Sequence, residues 1–209
     1  MTTQVNLGCG THTPYDWINV DYAFGARISR LPVVSSLIRR LNVLRTDWPD
    51  GIVIHDLRQT FPWADNSVDH IYSSHTLEHL NKQQGRHCLK ECFRVLKPGG
   101  VLRIVVPDLD AFVNYYTLGR IKADDFVDAL GVCYVPDNAS LLKRLSGPFV
   151  SFPHNCMYSA PRLLEILRET GFSAESKAPF ESAIPGIHGI ELADRTVDSI
   201  ICEAQKPPR

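Results

Sequence analysis

Apolar and polar positions follow two alternating rhythms along this chain. Five short runs are apolar at nearly every position or at every second one, the spacing of strands. They are Gln4 to Gly8, Ile18 to Tyr22, Ile52 to Asp56, Val68 to Ser73 and Val101 to Pro107. The last run, VLRIVVP, is almost wholly apolar, as a strand covered on both faces of a parallel sheet would be. Between the fourth and fifth runs the period lengthens. Cys88, Leu89, Cys92, Phe93 and Leu96 recur at helical spacing and predict a helix over about Lys82 to Lys97. Asn81 stands where a helix cap is needed and Gln84 at the reciprocal capping-box position. Pro98-Gly99-Gly100 is expected to end this helix and turn the chain into the fifth strand.

Further on, Leu109, Phe112, Val113 and Tyr116 predict an amphipathic helix stopping near Gly119, with weaker helical patterns around 124–130 and 141–145. A late helix is expected from Ser159 to Gly171, turning Leu163, Leu164, Ile166 and Leu167 inward. Two more strands are expected near 173–180 and 198–204. Strands alternating with helices predict an α/β domain with a mostly parallel, doubly wound sheet. The whole chain, 1–209, reads as one domain with two insertions, at about 23–49 and 108–158. The second is expected to be a lid. The first, rich in arginine (Arg27, Arg30, Arg39, Arg40, Arg45) and aliphatic residues, reads equally as a lid, as added packing or as an oligomer contact.

Bulk composition narrows the classes. A 209-residue chain that is 44% hydrophobic and 22% charged can bury a sizeable core, and its net charge of −1 gives no broad grip on nucleic acid or membrane. No apolar run approaches the ~20 residues that span a bilayer, and the first residues carry no signal-peptide pattern. Six cysteines without a C-x-x-C pair read as reduced thiols of a cytoplasmic protein.

Chemistry enters at the strand ends. VNLGCG, residues 5–10, is an apolar strand closing in G-x-G, where two glycines let backbone amides approach a ligand closely. The NAD fingerprint fails twice: Thr13 stands where its third glycine belongs, and the next acid, Asp21, comes too soon after Gly10 for an intervening helix. Asp21 at the end of the second strand could instead hold two ribose hydroxyls. Asp56 at the end of the third could accept from an adenine amino group, with Leu57 beside the ring. Ligands of open parallel sheets bind at that edge.

In this order the motifs VNLGCG (5–10), WINVDY (17–22), HDL (55–57), FPWADNSVDHIYSSHTLEHL (61–80) and LKECFRVLKPGGVLRIVVPDLD (89–110) resemble the class I S-adenosylmethionine-dependent methyltransferases. The last two are similar to a small bacterial group, methyltransferase type 11-like, that includes enzymes of sugar and cell-surface polymer pathways. PHNCMYSAPRLLEILRETGF (153–172) and SIICEAQKP (199–207) also resemble the tails of that group. The resemblance implies a sheet of about seven strands with the last antiparallel, and S-adenosyl-L-methionine as cofactor. Leu7, Gly8, Cys9 and Gly10 would approach its methionine part, Asp21 its ribose, and Asp56 and Leu57 its adenine. Ser74 and His75 would line the opening towards the acceptor. Two positions depart from the family: Asn6 stands where an acid is common, and the third glycine is absent, with the usual first helix reduced to a loop.

The expected reaction is methyl transfer to a small-molecule or carbohydrate-like acceptor, with a homodimer as a further expectation and nucleic acid not expected as a partner. His75 is the first candidate for a general base, since histidine titrates in the useful range. His154 is the second, and Tyr158 and Asp108 are further options. Two other readings stay open. One is a catalytically silent S-adenosylmethionine binder or interaction protein with this fold. The other is a zinc hydrolase: His75-Thr76-Leu77-Glu78-His79 matches H-x-x-E-H, which needs a helix and a third ligand such as His154 or His87.

Overall fold

The computed structural model describes residues 2–30, 48–132 and 153–208. Seven strands form one sheet: β1 Gln4–Leu7, β2 Ile18–Asp21, β3 Val53–Ile54, β4 Val68–Ser74, β5 Leu96–Pro107, β6 Ser173–Ser176 and β7 Ser199–Gln205. Their order across the sheet is β3-β2-β1-β4-β5-β7-β6. The β1–β2, β1–β4, β2–β3 and β4–β5 pairs are parallel, while β7 runs antiparallel to both β5 and β6. Strand order reverses between β1 and β4, which makes a crevice at their carboxyl ends.

The period of two along the central strands sorts the core into two layers. Leu102, Ile104 and Val106 of β5 join Ile200, Cys202 and Ala204 of β7 in the larger cluster. That cluster is completed by Cys88, Leu89, Cys92 and Val95 of α2 (Lys82–Val95) and by Leu163, Ile166 and Leu167 of α5 (Ala160–Thr170). Leu164 packs against it only partly buried. The alternate positions Tyr72, Val101, Val105 and Ile201 meet Trp17, Ile184, Ile187 and Ile190 on the other face.

Local chemistry sets the helix ends. Asn81 accepts from the Gln83 and Gln84 amides while Gln84 reaches back to the Asn81 amide, and Gly171 ends α5 with φ at 111°. The expected end of α2 shifts. The helix stops at Val95, and Leu96-Lys97-Pro98-Gly99-Gly100 is already strand. This extension is stabilised from β7: Gly99 N donates to Lys206 O at 2.8 Å, and Lys206 N to Gly100 O at 3.0 Å. β6 ends at Ser176, short of the expected 180.

The β1–β2 connection is a loop without a helix. Two asparagines in register on the neighbouring strands supply its hydrogen bonds. Asn6 Nδ2 donates to His12 O (3.1 Å) and to Asn19 Oδ1 (3.0 Å), and Asn19 Nδ2 donates to Pro14 O (2.9 Å) and Trp17 O (3.0 Å). A carboxylate at position 6 could accept but not donate, so Asn6 fits the helix-free loop.

Of the expected insertions, 31–47 and 133–152 lie outside the described residues, and with them Arg39, Arg40, Arg45 and the helical pattern at 141–145. What precedes and follows them forms α1 (Phe24–Ser29), α3 (Leu109–Thr117) and α4 (Ala123–Ala129). No helix among the described residues is long and apolar enough to cross a membrane. The described cysteines are all free thiols.

Candidate functional site

The crevice opens into a cavity of about 710 Å³ walled by the loops after β1, β2, β3 and β4. Gly8, Cys9, Gly10, Asp21, Asp56, Leu57, Ser74 and His75 all line it, so the strand-end residues meet as expected. Leu7 is 1% exposed and belongs to the core beneath, outside the cavity lining. Gly8 and Gly10 hold left-handed backbone, with φ of 68° and 57°. At Gly8 a β-carbon would fall 2.0 Å from Thr76 Oγ1, whereas at Gly10 it would meet nothing within 4 Å. Gly8 is thus required by the β1–β4 seam, while Gly10 leaves the cavity floor open.

Asp21 is built for a polar ligand. Its Oδ2 accepts from Gly10 N at 2.8 Å and its Oδ1 from Ala23 N at 2.6 Å. Those bonds lock its rotamer and use about half of a carboxylate's roughly four acceptor positions, leaving the rest for hydroxyl donors. Asp56 is more heavily engaged. Oδ1 accepts from Arg58 N (3.0 Å) and Nε (2.8 Å), and Oδ2 accepts from the Arg58 guanidinium at 2.7 Å. The Arg58 side chain holds the Asp56 carboxyl below the usual carboxylate range. Roughly one acceptor position remains for an exocyclic amine. Cys9 is a poor nucleophile, its thiol pushed up to about 12 by burial and by Asp21.

The candidate bases part company. His75 lies on the cavity wall with φ at 48°, left-handed backbone that costs a residue other than glycine ~1–2 kcal/mol. Its Nε2 donates to Arg195 O at 2.9 Å, while its Nδ1 faces Glu78 Oε1 at 3.6 Å without a hydrogen bond. His154 is not among the lining residues. Its Nδ1 donates to Leu130 O at 2.7 Å, and its Nε2 turns to the same Glu78 oxygen at 3.9 Å. Tyr158 is buried in the core with its phenol pKa raised by burial. Asp108 caps α3 by accepting from Asp110 N. Neither lines the cavity.

The H-x-x-E-H string is not helical as a zincin would require: Leu77–His79 makes one 3₁₀ turn, and α2 begins only at Lys82. Residues without a place in the sequence reading complete the cavity, among them Thr76, Trp48, Arg58, Asn155 and Arg195. Arg195 and Asn155 come from distant segments and carry no local signal; Thr76 and Arg58 sit one or two positions from residues that do.

Residues 5–104 match the family described as "Methyltransferase domain". Solved structures share the fold. A SAM-dependent methyltransferase from Methanosarcina mazei aligns with a TM-score of 0.53 at 16% identity, over 99% of this chain and 93% of the other. The YcgJ protein of Bacillus subtilis aligns at 0.51 and 16% over 100% and 93%. A SAM-dependent methyltransferase of Thermotoga maritima aligns at 0.50 and 18% over 99% and 83%. With the strand order above and β7 antiparallel, these matches establish the fold. The chain has the fold of these S-adenosylmethionine-dependent methyltransferases, and residues 5–104 are similar to the methyltransferase domain family. No curated protein matches it by sequence. The cavity fits the expected S-adenosyl-L-methionine: two left-handed glycines, a half-satisfied carboxylate on β2 and a second acid after β3 share one opening.

Proposed function

We propose that the protein transfers a methyl group from S-adenosyl-L-methionine to a small-molecule or carbohydrate-like acceptor. The observation that carries this reading is Asp21. Its carboxylate is fixed by two backbone amides and presented to the cavity on the strand next to the glycine turn. When bound, the cofactor supplies a methyl group activated on a sulfonium centre. The protein's task is then to place the acceptor in line with that methyl group and to exclude water.

In this reading Gly8, Cys9 and Gly10 offer backbone to the methionine part, Asp21 accepts from the ribose, and Leu57 packs beside the base while Asp56 accepts from its amino group. Ser74 and His75 form the acceptor side of the opening. Calorimetry with S-adenosylhomocysteine tests the reading: one site per chain is expected, weakened in Asp21→Ala, and no binding at millimolar concentration would remove it. A metabolite extract incubated with cofactor should then contain a product heavier by one CH₂.

The hydrolase alternative does not have its helix. The silent-binder alternative predicts cofactor binding without turnover of any extract. A cytoplasmic location and a homodimer remain our expectations from composition and from the insertion at 23–49.

A further inference from the structure

Behind the acceptor side of the cavity, three histidines approach one buried carboxyl group. Glu78 is 0% exposed, and neither of its carboxylate oxygens has a hydrogen-bond partner among the described residues. Three histidine nitrogens surround its Oε1: His75 Nδ1 at 3.6 Å, His154 Nε2 at 3.9 Å and His79 Nε2 at 4.0 Å. These distances are too long for hydrogen bonds. They are close to the spacing of two ligands on one ion, since metal bonds of ~2.0–2.2 Å at tetrahedral angles set donors roughly 3.4 Å apart. One donor atom each from Glu78, His79 and His154 lie within 4.8 Å of one another.

The outer nitrogens fit the same picture. A backbone carbonyl can only accept, so His75 Nε2 and His154 Nδ1 carry hydrogens towards Arg195 O and Leu130 O. In the neutral ring, the nitrogen facing Glu78 then presents a lone pair. His79 sets its Nδ1 3.3 Å from Pro153 O. Metal-binding histidines are oriented in this way, with the second ring nitrogen held by a carbonyl or carboxylate. Lone pairs aimed at a buried carboxylate repel it unless a proton or a metal cation lies between them.

We propose that Glu78, His79 and His154 form a binding site for a divalent transition-metal ion, with His75 beside it. Imidazole nitrogens with one carboxylate suit zinc or cobalt better than magnesium or calcium. His75 and His79 also line the cavity, so the ion sits beside the space an acceptor would enter. There it would polarise an acceptor oxygen, a consequence that rests on the methyl-transfer reading. Metal binding itself does not depend on that reading.

The test uses the full chain, stripped with chelator and free of cofactor, titrated with Zn2+ by calorimetry and with Co2+ by visible absorption. One ion per chain is expected, with cobalt bands of nitrogen and oxygen coordination. His154→Ala and Glu78→Gln should each weaken binding by about tenfold or more, while His188→Ala leaves it unchanged. Thermal melts establish folding, and if Glu78→Gln does not fold, His154→Ala decides. A folded wild-type chain that binds neither ion in stoichiometric amount would overturn the proposal, as would full-affinity binding in folded His154→Ala. Because the titration omits cofactor, its failure leaves the methyl-transfer reading standing, and the reverse holds for the calorimetry with S-adenosylhomocysteine.

Discussion

Two buried charged clusters in this molecule solve the same problem in opposite ways. On one face of the sheet, Arg103 of β5 is 0% exposed, yet its guanidinium makes five hydrogen bonds. Two go to Glu191, at 2.7 and 2.8 Å, one to Glu203 at 3.0 Å, and two to the carbonyls of Glu181 and Ala178. The acids are satisfied in turn, Glu203 by Ser182 Oγ and by Ala183 N at 3.0 Å, and Glu191 by Phe180 N. The network ties the segment after β6 to β5 and β7, and that segment carries Ile190, Leu192 and Arg195 to the cavity wall. Glu78, equally buried, has three histidines around it and, among the described residues, no hydrogen bond to its carboxyl oxygens. A saturated charge cluster holds structure together; an unsaturated one is preorganised for something to arrive.

The comparison can be broken or sharpened experimentally. The largest effect is expected from Arg103→Met, which strands two buried carboxylates. It should cost about 3–5 kcal/mol in denaturant unfolding, and a cost below about 1 kcal/mol would mean that the network is not structural. Next, Asp21→Ala should reduce affinity for S-adenosylhomocysteine by about 1–3 kcal/mol in calorimetry, with a smaller change in stability, because this carboxylate is half committed to the fold and half to its ligand.

Glu91 is a second saturated acid. It accepts from Arg94 at 2.9 and 2.7 Å and from Phe61 N at 2.7 Å, and the Arg94 bonds hold its carboxyl below the usual range. Glu91→Gln should cost about 1–2 kcal/mol at neutral pH. A depressed acid stabilises the fold above its unfolded-state pKa, and that contribution is lost as pH falls through the lowered folded-state value. The gap between wild type and variant should therefore close in acid; a gap independent of pH would remove the charge as its cause. Smallest, and opposite in sign, Glu78→Met should stabilise the metal-free chain by about 1 kcal/mol, since a buried carboxyl group without hydrogen bonds among the described residues gives way to an apolar chain of similar length. If it destabilises as Glu91→Gln does, the contrast between the clusters fails.

Much of the cofactor edge was legible in the sequence because strand ends are local events. Gly8, Asp21 and Asp56 each close an apolar run, and parallel strands carry their carboxyl ends to one side whatever their order. The α2 boundary was misread for a physical reason. Pro98-Gly99-Gly100 has the composition of a turn, but the antiparallel partner β7 supplies the hydrogen bonds that keep it extended. The orientations of the His75 and His154 rings were not legible, because a ring's orientation follows what its second nitrogen meets. Those partners, Arg195 O and Leu130 O, come from far along the chain.

By itself the sequence determined the alternation of strands and helices, the capped start of α2 and the glycine and acid positions at the cavity edge. These follow from side-chain period and backbone freedom, which act over a few residues. Only the tertiary structure decided that Arg103, Glu191 and Glu203 saturate one another, and that His154 faces Glu78 across the turn holding His75 and His79. Pairings between groups 75 to 100 residues apart depend on sheet order and on the path of the returning chain. Local hydrophobic pattern carries no record of either.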